Sequence, residues 1–122
     1  MLFINAVIHT MAGSVIENGF IETEGSAIKR VGSVSELSES EKSDAIDLRG
    51  DSVYPGFIDT HTHLGLVGDA LGFESDDINE MTNPLTPHLR AIDAINPLDL
   101  SFKEAAQAGV TAVVACPGSS NP

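Results

Sequence analysis

The sequence contains few basic residues, and this scarcity limits the partners that it can bind. Six Lys and Arg residues stand against 18 Asp and Glu residues, which gives a formal net charge of −12 at pH 7. Proteins bind nucleic acid by neutralising its phosphates with clustered Lys and Arg side chains. The composition therefore predicts that nucleic acid is not a partner.

Cysteine and long apolar runs are scarce as well. Cys116 is the only cysteine, so no internal disulfide can form, which favours a reducing, cytoplasmic location. No run of about 18 apolar residues is present. The opening segment MLFINAVIHTM lacks the basic and apolar regions of a secretory signal. We therefore expect a cytoplasmic protein without a membrane partner.

What the sequence does contain is the composition of a folded domain. Hydrophobic residues make up 42% of the chain and charged residues 20%, as in globular proteins. The length of 122 residues is well below the roughly 200–250 residues of a (β/α)₈ barrel. Any barrel signal in this sequence must therefore come from a piece of a barrel.

Residues 1 to about 52 predict short β-strands joined by glycine turns. The run Leu2–Ile8 is rich in β-forming residues. Asn18-Gly19 is a dipeptide typical of tight hairpin turns, and Gly25-Ser26 marks a second turn. We expect three or four strands in a small meander with one buried face.

Two later stretches are expected to be irregular. Residues 33–46 are polar and acidic, which predicts a solvated loop that can include one helical turn. Residues 65–97 contain glycines, three prolines and a group of acids between Glu74 and Glu80. A connection longer than about 12–15 residues is usually functional or disordered, so we expect a long excursion there.

The last third of the sequence predicts a strand, a helix and a strand. Asp99 is a typical N-cap residue, and Gly109 stands where a helix-ending glycine is expected. Val110–Cys116 is a nearly continuous apolar run, typical of a parallel strand buried on both faces. Because the chain is also β-prone from Phe57 onward, residues 57–116 predict one βαβ unit.

His61-Thr62-His63 is the sharpest candidate for a functional site. Side chains alternate between the faces of a strand, so both histidines point to one side, about 6.5–7 Å apart along the chain, and can bind one divalent ion. Asp59 falls on the same face, where its carboxylate can hydrogen-bond a histidine ligand or anchor the strand. The pattern also arises by coincidence on exposed strands. Here it ends an apolar strand and opens into a long loop, where ligands gather in parallel α/β proteins.

The segment Pro55–His63, PGFIDTHTH, resembles the metal-dependent amidohydrolases, a group that includes imidazolonepropionase and dihydroorotase. A small β-meander precedes it at the expected distance. The segments Asn83–Asp99 and Gly109–Pro122 look most like uncharacterised members related to imidazolonepropionase. The resemblance spans essentially the whole sequence and corresponds to about the N-terminal third of a typical member.

This resemblance implies a fold of mixed β and α/β type. Residues 1–54 would form part of a small β-sandwich, and residues 55–122 would start a (β/α)₈ (TIM) barrel that is truncated after its second strand. Residues 57–63 would be barrel strand 1, and residues 110–116 barrel strand 2. The family's remaining ligands and its catalytic aspartate have no counterpart in this sequence, so the catalytic residues are unassigned.

For function, the resemblance implies a metal-dependent hydrolase that cleaves non-peptide C–N bonds, in cyclic amides or related small molecules, through a metal-activated water. His61 and His63 would bind zinc or another divalent transition metal, as one or two ions, with Asp59 supporting them. His88 and Arg90 would lie in the loop above the metal as candidate substrate contacts. His88 also fits a surface histidine, and Arg90 an exposed ion pair with Asp93. The isolated chain is expected to be inactive.

The alternative hypothesis is a non-catalytic, β-rich binding or assembly module in which His-x-His is incidental. The βαβ ending argues against it, because such a module has no use for a parallel strand at 110–116. In an incomplete barrel, the strands at 57–63 and 110–116 keep unpaired edges and apolar surface. We therefore expect a homo-oligomer or a self-associating chain.

Overall fold

The chain consists of two separately packed units, Met1–Pro55 and Gly56–Pro122. This computed structural model describes residues 1–68, 72–83 and 85–120. The predicted excursion 65–97 and the end of the predicted barrel segment 55–122 therefore lie partly outside the described residues.

The first unit is a five-stranded sheet. Strand β1 pairs antiparallel with β2, and β2 pairs antiparallel with β3. The short strands β4 and β5 pair in parallel with the beginning and the end of β1. The strands are β1 (Leu2–Ile8), β2 (Ile16–Glu24), β3 (Ala27–Ser33), β4 (Ile46–Asp47) and β5 (Ser52–Val53).

The predicted hairpin turn at Asn18-Gly19 is wrong. Both residues lie inside β2, where Gly19 pairs with β1 on one side and with β3 on the other. Pairing on both sides satisfies the backbone N–H and C=O groups of this segment, and this outweighs the local turn preference of the dipeptide. The chain reverses instead between β1 and β2, where Met11 has a φ of 58°. The predicted turn at Gly25 is confirmed, with a φ of 59°.

The polar stretch 33–46 is more ordered than the sequence predicts. Ser33 caps a 3₁₀ turn (Val34–Glu36), and Ser38 caps a short helix, α1 (Glu39–Ser43). In each case the serine side chain accepts a backbone hydrogen bond, and a glutamate three residues later accepts the N–H of the serine. These are two successive capping boxes.

The core of the first unit is small and includes residues from this stretch. Phe20 is 2% exposed and is among the most buried side chains of the chain. Residues 33–46 contribute the side chains of Val34 and Leu37, which pack with Phe20. Residues 33–46 therefore cover one face of the sheet. The cluster consists of Ile4, Phe20, Val34 and Leu37.

Arg30 connects α1 to the sheet. Its guanidinium donates hydrogen bonds to Glu22 of β2 and to Glu41 of α1, the latter at 2.8 Å. Hydrogen bonds from Arg30, the largest cause, and from the backbone and side chain of Ser38 together lower the pKa of Glu41 from 4.5 to about 2. Because the folded-state pKa is depressed, these interactions of Glu41 stabilise the unit above pH 4.5, and their contribution is lost as the pH falls towards 2.

The second unit is built around one pair of parallel strands, β6 (Phe57–Thr62) and β7 (Val110–Ala115). Two helices lie between them in the chain, α2 (Ala91–Ala94) and α3 (Leu100–Gln107). The Asp99 carboxylate caps α3 by accepting the N–H of Ser101 at 2.8 Å, and Gly109, with a φ of 92°, follows its end. The predicted order of strand, helix and strand is confirmed.

Strand β7 is not buried on both faces, contrary to the prediction. Val114 is 52% exposed, and in the neighbouring strand Phe57 and Ile58 are 61% and 68% exposed. Among the residues described, the two strands pair only with each other, and these apolar side chains remain exposed.

The structure is thus β-rich with a few short helices. No helix in the described part of the chain has the length and apolar character needed to cross a membrane. The finer assignment of residues 1–54 to a β-sandwich and of residues 55–122 to a barrel stays a prediction.

Gly65, two residues beyond His63, should not tolerate a side chain. Its φ is 78°, and a Cβ atom there would lie 2.7 Å from Cε2 of Phe102. We expect Gly65→Ala to lower the free energy of unfolding by about 1–3 kcal/mol, from backbone strain and this contact together. Urea denaturation measures the change. Gly13→Ala is the control, because nothing lies within 4 Å of that Cβ position; equal losses in both variants would contradict the assignment.

Candidate metal centre

Both predicted metal ligands lie at the carboxyl end of β6. His61 is inside the strand, and His63 directly follows its last residue, Thr62. The two imidazole ring centroids are 5.7 Å apart and the ring planes meet at 77°. The structure therefore brings the two rings together, although the pairing of β6 with β7 is irregular between Asp59 and Thr62.

The two histidines differ in their surroundings. His61 is exposed, whereas His63 is half-buried, and its Nδ1 lies 2.7 Å from the backbone carbonyl oxygen of Cys116. Cys116 directly follows β7, so this contact joins the two strands at the candidate site. This contact is not predictable from the sequence, because a backbone carbonyl leaves no signature in the residue types.

Asp59 contacts the backbone of the site rather than an imidazole ring. Its Oδ1 accepts the backbone N–H of His61 at 3.1 Å, and its side chain lies on an exposed part of β6. In this structure the carboxylate therefore anchors the strand beside the first histidine. This is one of the two supporting roles considered for it from the sequence.

The described residues supply part of a metal site. No group of three His, Cys, Asp or Glu side chains in ranges 1–68, 72–83 and 85–120 is arranged to hold an ion. Zinc sites use four protein ligands, or three and a water. Two neighbouring imidazoles are a donor set that zinc and related divalent transition metals accept. The histidine pair thus fits such a metal, with further ligands still required.

The two candidate substrate contacts occupy different surroundings. Arg90 lines a cavity of about 200 Å³ in the second unit, whereas His88 is exposed and is not part of its lining. The guanidinium of Arg90 donates two hydrogen bonds to Asp93, at 3.0 and 2.9 Å, and these raise the pKa of Arg90. The ion pair expected from the sequence is confirmed.

Two residues that line this cavity, Leu66 and Pro117, are close in the chain to His63 and to Cys116. Leu66, on its wall, donates its backbone N–H to the carbonyl of His63 at 2.9 Å. Pro117, also on the wall, directly follows Cys116. The cavity and the histidines therefore share the carboxyl end of the β6–β7 pair.

The segment after β7 is held in place by the long excursion. Gly118 donates its N–H to the carbonyl of Ile78 at 2.8 Å, and Ser120 donates its N–H to Oδ1 of Asn79 at 3.1 Å. Ile78 and Asn79 were not predicted as contacts of this segment. Their signal in the sequence is their position in a loop long enough to return to the strand ends.

The chain is similar to known enzymes, although no protein-family model matches it. It is 46% identical over 59 residues to an imidazolonepropionase of Pseudomonas savastanoi, a match that covers 48% of this chain and 15% of that enzyme. It is 32% identical over 119 residues to a 5-methylthioadenosine/S-adenosylhomocysteine deaminase of Bacillus cereus, covering 89% of this chain and 26% of that enzyme.

A solved structure extends the similarity to the fold. An amidohydrolase from Thermotoga maritima is 36% identical and superposes with a TM-score of 0.83, covering 99% of this chain and 30% of that one. The chain therefore spans less than a third of the length of each of these relatives.

Proposed function

The chain belongs to the amidohydrolase superfamily, matching a part of its members, and on this basis we propose that it is the N-terminal portion of a metal-dependent hydrolase. The reaction proposed is the cleavage of a non-peptide C–N bond in a cyclic amide or a related small molecule. The observation that carries the proposal is the adjacent pair of imidazoles at the carboxyl end of a parallel strand pair, with ring centroids 5.7 Å apart. A non-catalytic module with an incidental His-x-His has less support, because the relatives are enzymes.

The proposal includes a fold for the whole protein. Residues 1–54 would contribute to a small β-sandwich, and residues 55–122 would contribute the first two strands of a TIM barrel. The parallel pairing of β6 with β7 and the intervening α3 support the second assignment, as does the similarity to the Thermotoga maritima amidohydrolase. Further strands of such a barrel would cover the exposed apolar side chains of β6 and β7.

His61 and His63 would hold zinc or another divalent transition metal, as one or two ions, together with ligands from the rest of the protein. When bound, such a metal polarises the substrate and makes a water molecule acidic enough to attack it at neutral pH. The residues of this chain would bind the metal and orient the imidazole ligands. The anchor from Asp59 to the backbone of His61 steadies the end of β6, so that the first imidazole starts from a fixed backbone position.

Arg90 would position the substrate. It lines the cavity whose wall includes Leu66, the residue that donates its N–H to the His63 carbonyl. Two of its N–H groups donate to Asp93, which leaves its other N–H donors for a ligand. His88, exposed on the same loop, would make at most a peripheral contact. We also propose a cytoplasmic location, since the single cysteine favours a reducing compartment.

The metal assignment predicts a difference between this chain and a longer protein that carries it with the remaining ligands. Two imidazoles leave half of a four-coordinate shell to water, so the 122-residue chain should lose zinc on gel filtration, whereas the longer protein should retain it. In the longer protein, His63→Ala should remove most of the metal and abolish hydrolysis. Metal analysis measures retention; ring absorbance and ammonia release report activity on a panel of cyclic amides and amino-substituted heterocycles.

The matched control for this experiment is His88→Ala, which should leave the metal content unchanged. A His63→Ala protein that kept all its metal would refute the ligand assignment. A metal-loaded wild-type protein that hydrolysed no C–N bond in the panel would contradict the proposed reaction class.

The substrate assignment predicts that Arg90 affects KM and leaves the metal in place. Removing a charged hydrogen-bond donor removes about 1.5–3 kcal/mol of binding, which corresponds to a rise in KM of roughly 10- to 150-fold. We expect this rise in Arg90→Ala and a much smaller change in His88→Ala, with metal content equal in both. Steady-state kinetics measure KM for both variants. A larger rise in KM for His88→Ala than for Arg90→Ala would contradict the assignment of Arg90 as the substrate contact.

We propose that the isolated chain self-associates through the second unit. Strands β6 and β7 have unpaired outer edges within the described residues, and unpaired edges promote association. Sedimentation velocity should show an average mass that rises with concentration. Ile58→Lys in β6 should shift the chain towards monomer, whereas Ile28→Lys in β3, at the same exposure of 68%, should not. A concentration-independent wild-type monomer would contradict the proposal.

A further inference from the structure

The hydrogen bond between His63 and Cys116 determines where the proton of the imidazole resides. Nδ1 of His63 lies 2.7 Å from the Cys116 carbonyl oxygen. A carbonyl oxygen accepts hydrogen bonds and donates none, so the N–H must be on Nδ1. A neutral imidazole has one N–H, and its lone pair is then on Nε2.

We propose that the Cys116 carbonyl fixes this tautomer of His63 before any metal binds, and that Pro117 is a positioning residue that aims the carbonyl. The end of β7 would thus orient a ligand that β6 supplies. The inference rests on the proposed function in one respect, namely that His63 binds a metal.

The backbone is constrained on both sides of the Cys116 carbonyl. Its own N–H donates to the carbonyl oxygen of Thr62 at 2.9 Å, which keeps Cys116 in register with the residue before His63. On the other side, a proline disfavours the helical conformation of the residue that precedes it. Pro117 therefore favours an extended ψ at Cys116, and ψ sets the direction of the carbonyl. The Gly118 bond to Ile78, at 2.8 Å, holds the next turn of chain.

His61 has no equivalent constraint. Its side chain is exposed, and in the described part of the chain the only recorded contact of its ring is the edge-to-face one with His63. A ring without a hydrogen-bond partner populates both neutral tautomers, and binding a metal must then select one. His63 is therefore oriented before a metal binds, whereas His61 becomes ordered on binding. The advance orientation of His63 lowers the conformational entropy that its ring loses when the metal binds.

The tautomers can be measured directly in the metal-free chain. Long-range ¹H–¹⁵N correlation spectra of the ¹⁵N-labelled chain at mildly alkaline pH distinguish protonated from unprotonated ring nitrogens. His61→Gln and His63→Gln assign the signals. We expect His63 to show a protonated Nδ1 and an unprotonated Nε2, and His61 to show averaged signals. A His63 ring that is averaged like His61, or protonated on Nε2, would overturn the proposal.

The role of Pro117 is tested by Pro117→Ala, with Pro87→Ala in the exposed loop as the control. Releasing ψ of Cys116 should move His63 towards a tautomer mixture and weaken zinc binding by about 10- to 100-fold, the range seen when a partner of a ligand histidine is removed. Backbone amide signals of Thr62 and Cys116 verify that β6 and β7 stay paired. A paired Pro117→Ala chain with an unchanged His63 tautomer would exclude Pro117 as the positioning residue, and the wild-type spectrum decides the tautomer independently.

Zinc titration separates this inference from the proposed function. A shift of the His63 Nε2 signal on adding zinc supports both when the metal-free ring has the single expected tautomer. If the tautomer is fixed and zinc leaves Nε2 unchanged, the ligand role fails and the tautomer assignment stands. If zinc shifts Nε2 of a ring that was averaged beforehand, the ligand role stands and the inference fails.

Discussion

The parallel pairing of β6 with β7 is the constraint on which the second unit depends. Parallel strands cannot be joined by a tight turn, so the chain has to leave β6, pass through the long excursion and α3, and return as β7. The pairing places Cys116 beside Thr62. In this position the carbonyl oxygen of Cys116 lies within hydrogen-bond distance of the His63 ring. A shift of register by one residue would move that acceptor away from the ring of His63.

Features that depend on a few neighbouring residues were predictable from the sequence. The N-cap Asp99 and the terminating Gly109 define α3 through local hydrogen bonds and a local φ, and both were identified correctly. Their signals act within one helical turn. The capping boxes begun by Ser33 and Ser38 have the same local character, with a glutamate three residues after each serine. The spacing of these serines and glutamates carries the signal for the caps, whereas the acidic composition of the same stretch indicates a loop.

Other features depend on distant partners and were not predictable. Asn18-Gly19 has the local preference of a turn, but β1 and β3 pair with it from both sides. The apolar composition of β7 indicated burial, yet burial depends on what covers a strand, and Val114 is 52% exposed. At the candidate site the histidine pair was visible in the sequence, whereas the acceptor for His63 is a backbone atom that the pairing of two distant strands brings to the ring.

The parallel connection also sets an order of events during folding. The antiparallel strands β1, β2 and β3 are neighbours in the chain, so their contacts close short loops, whereas β7 must return across the whole excursion to reach β6. Loop-closure entropy makes such non-local pairing the slower step, and a ribosome releases β6 before β7 has been made. His61 and His63 are therefore present in the nascent chain before Cys116 exists to hold one of them. Both candidate ligands are therefore synthesised before the contact that orients His63 can form.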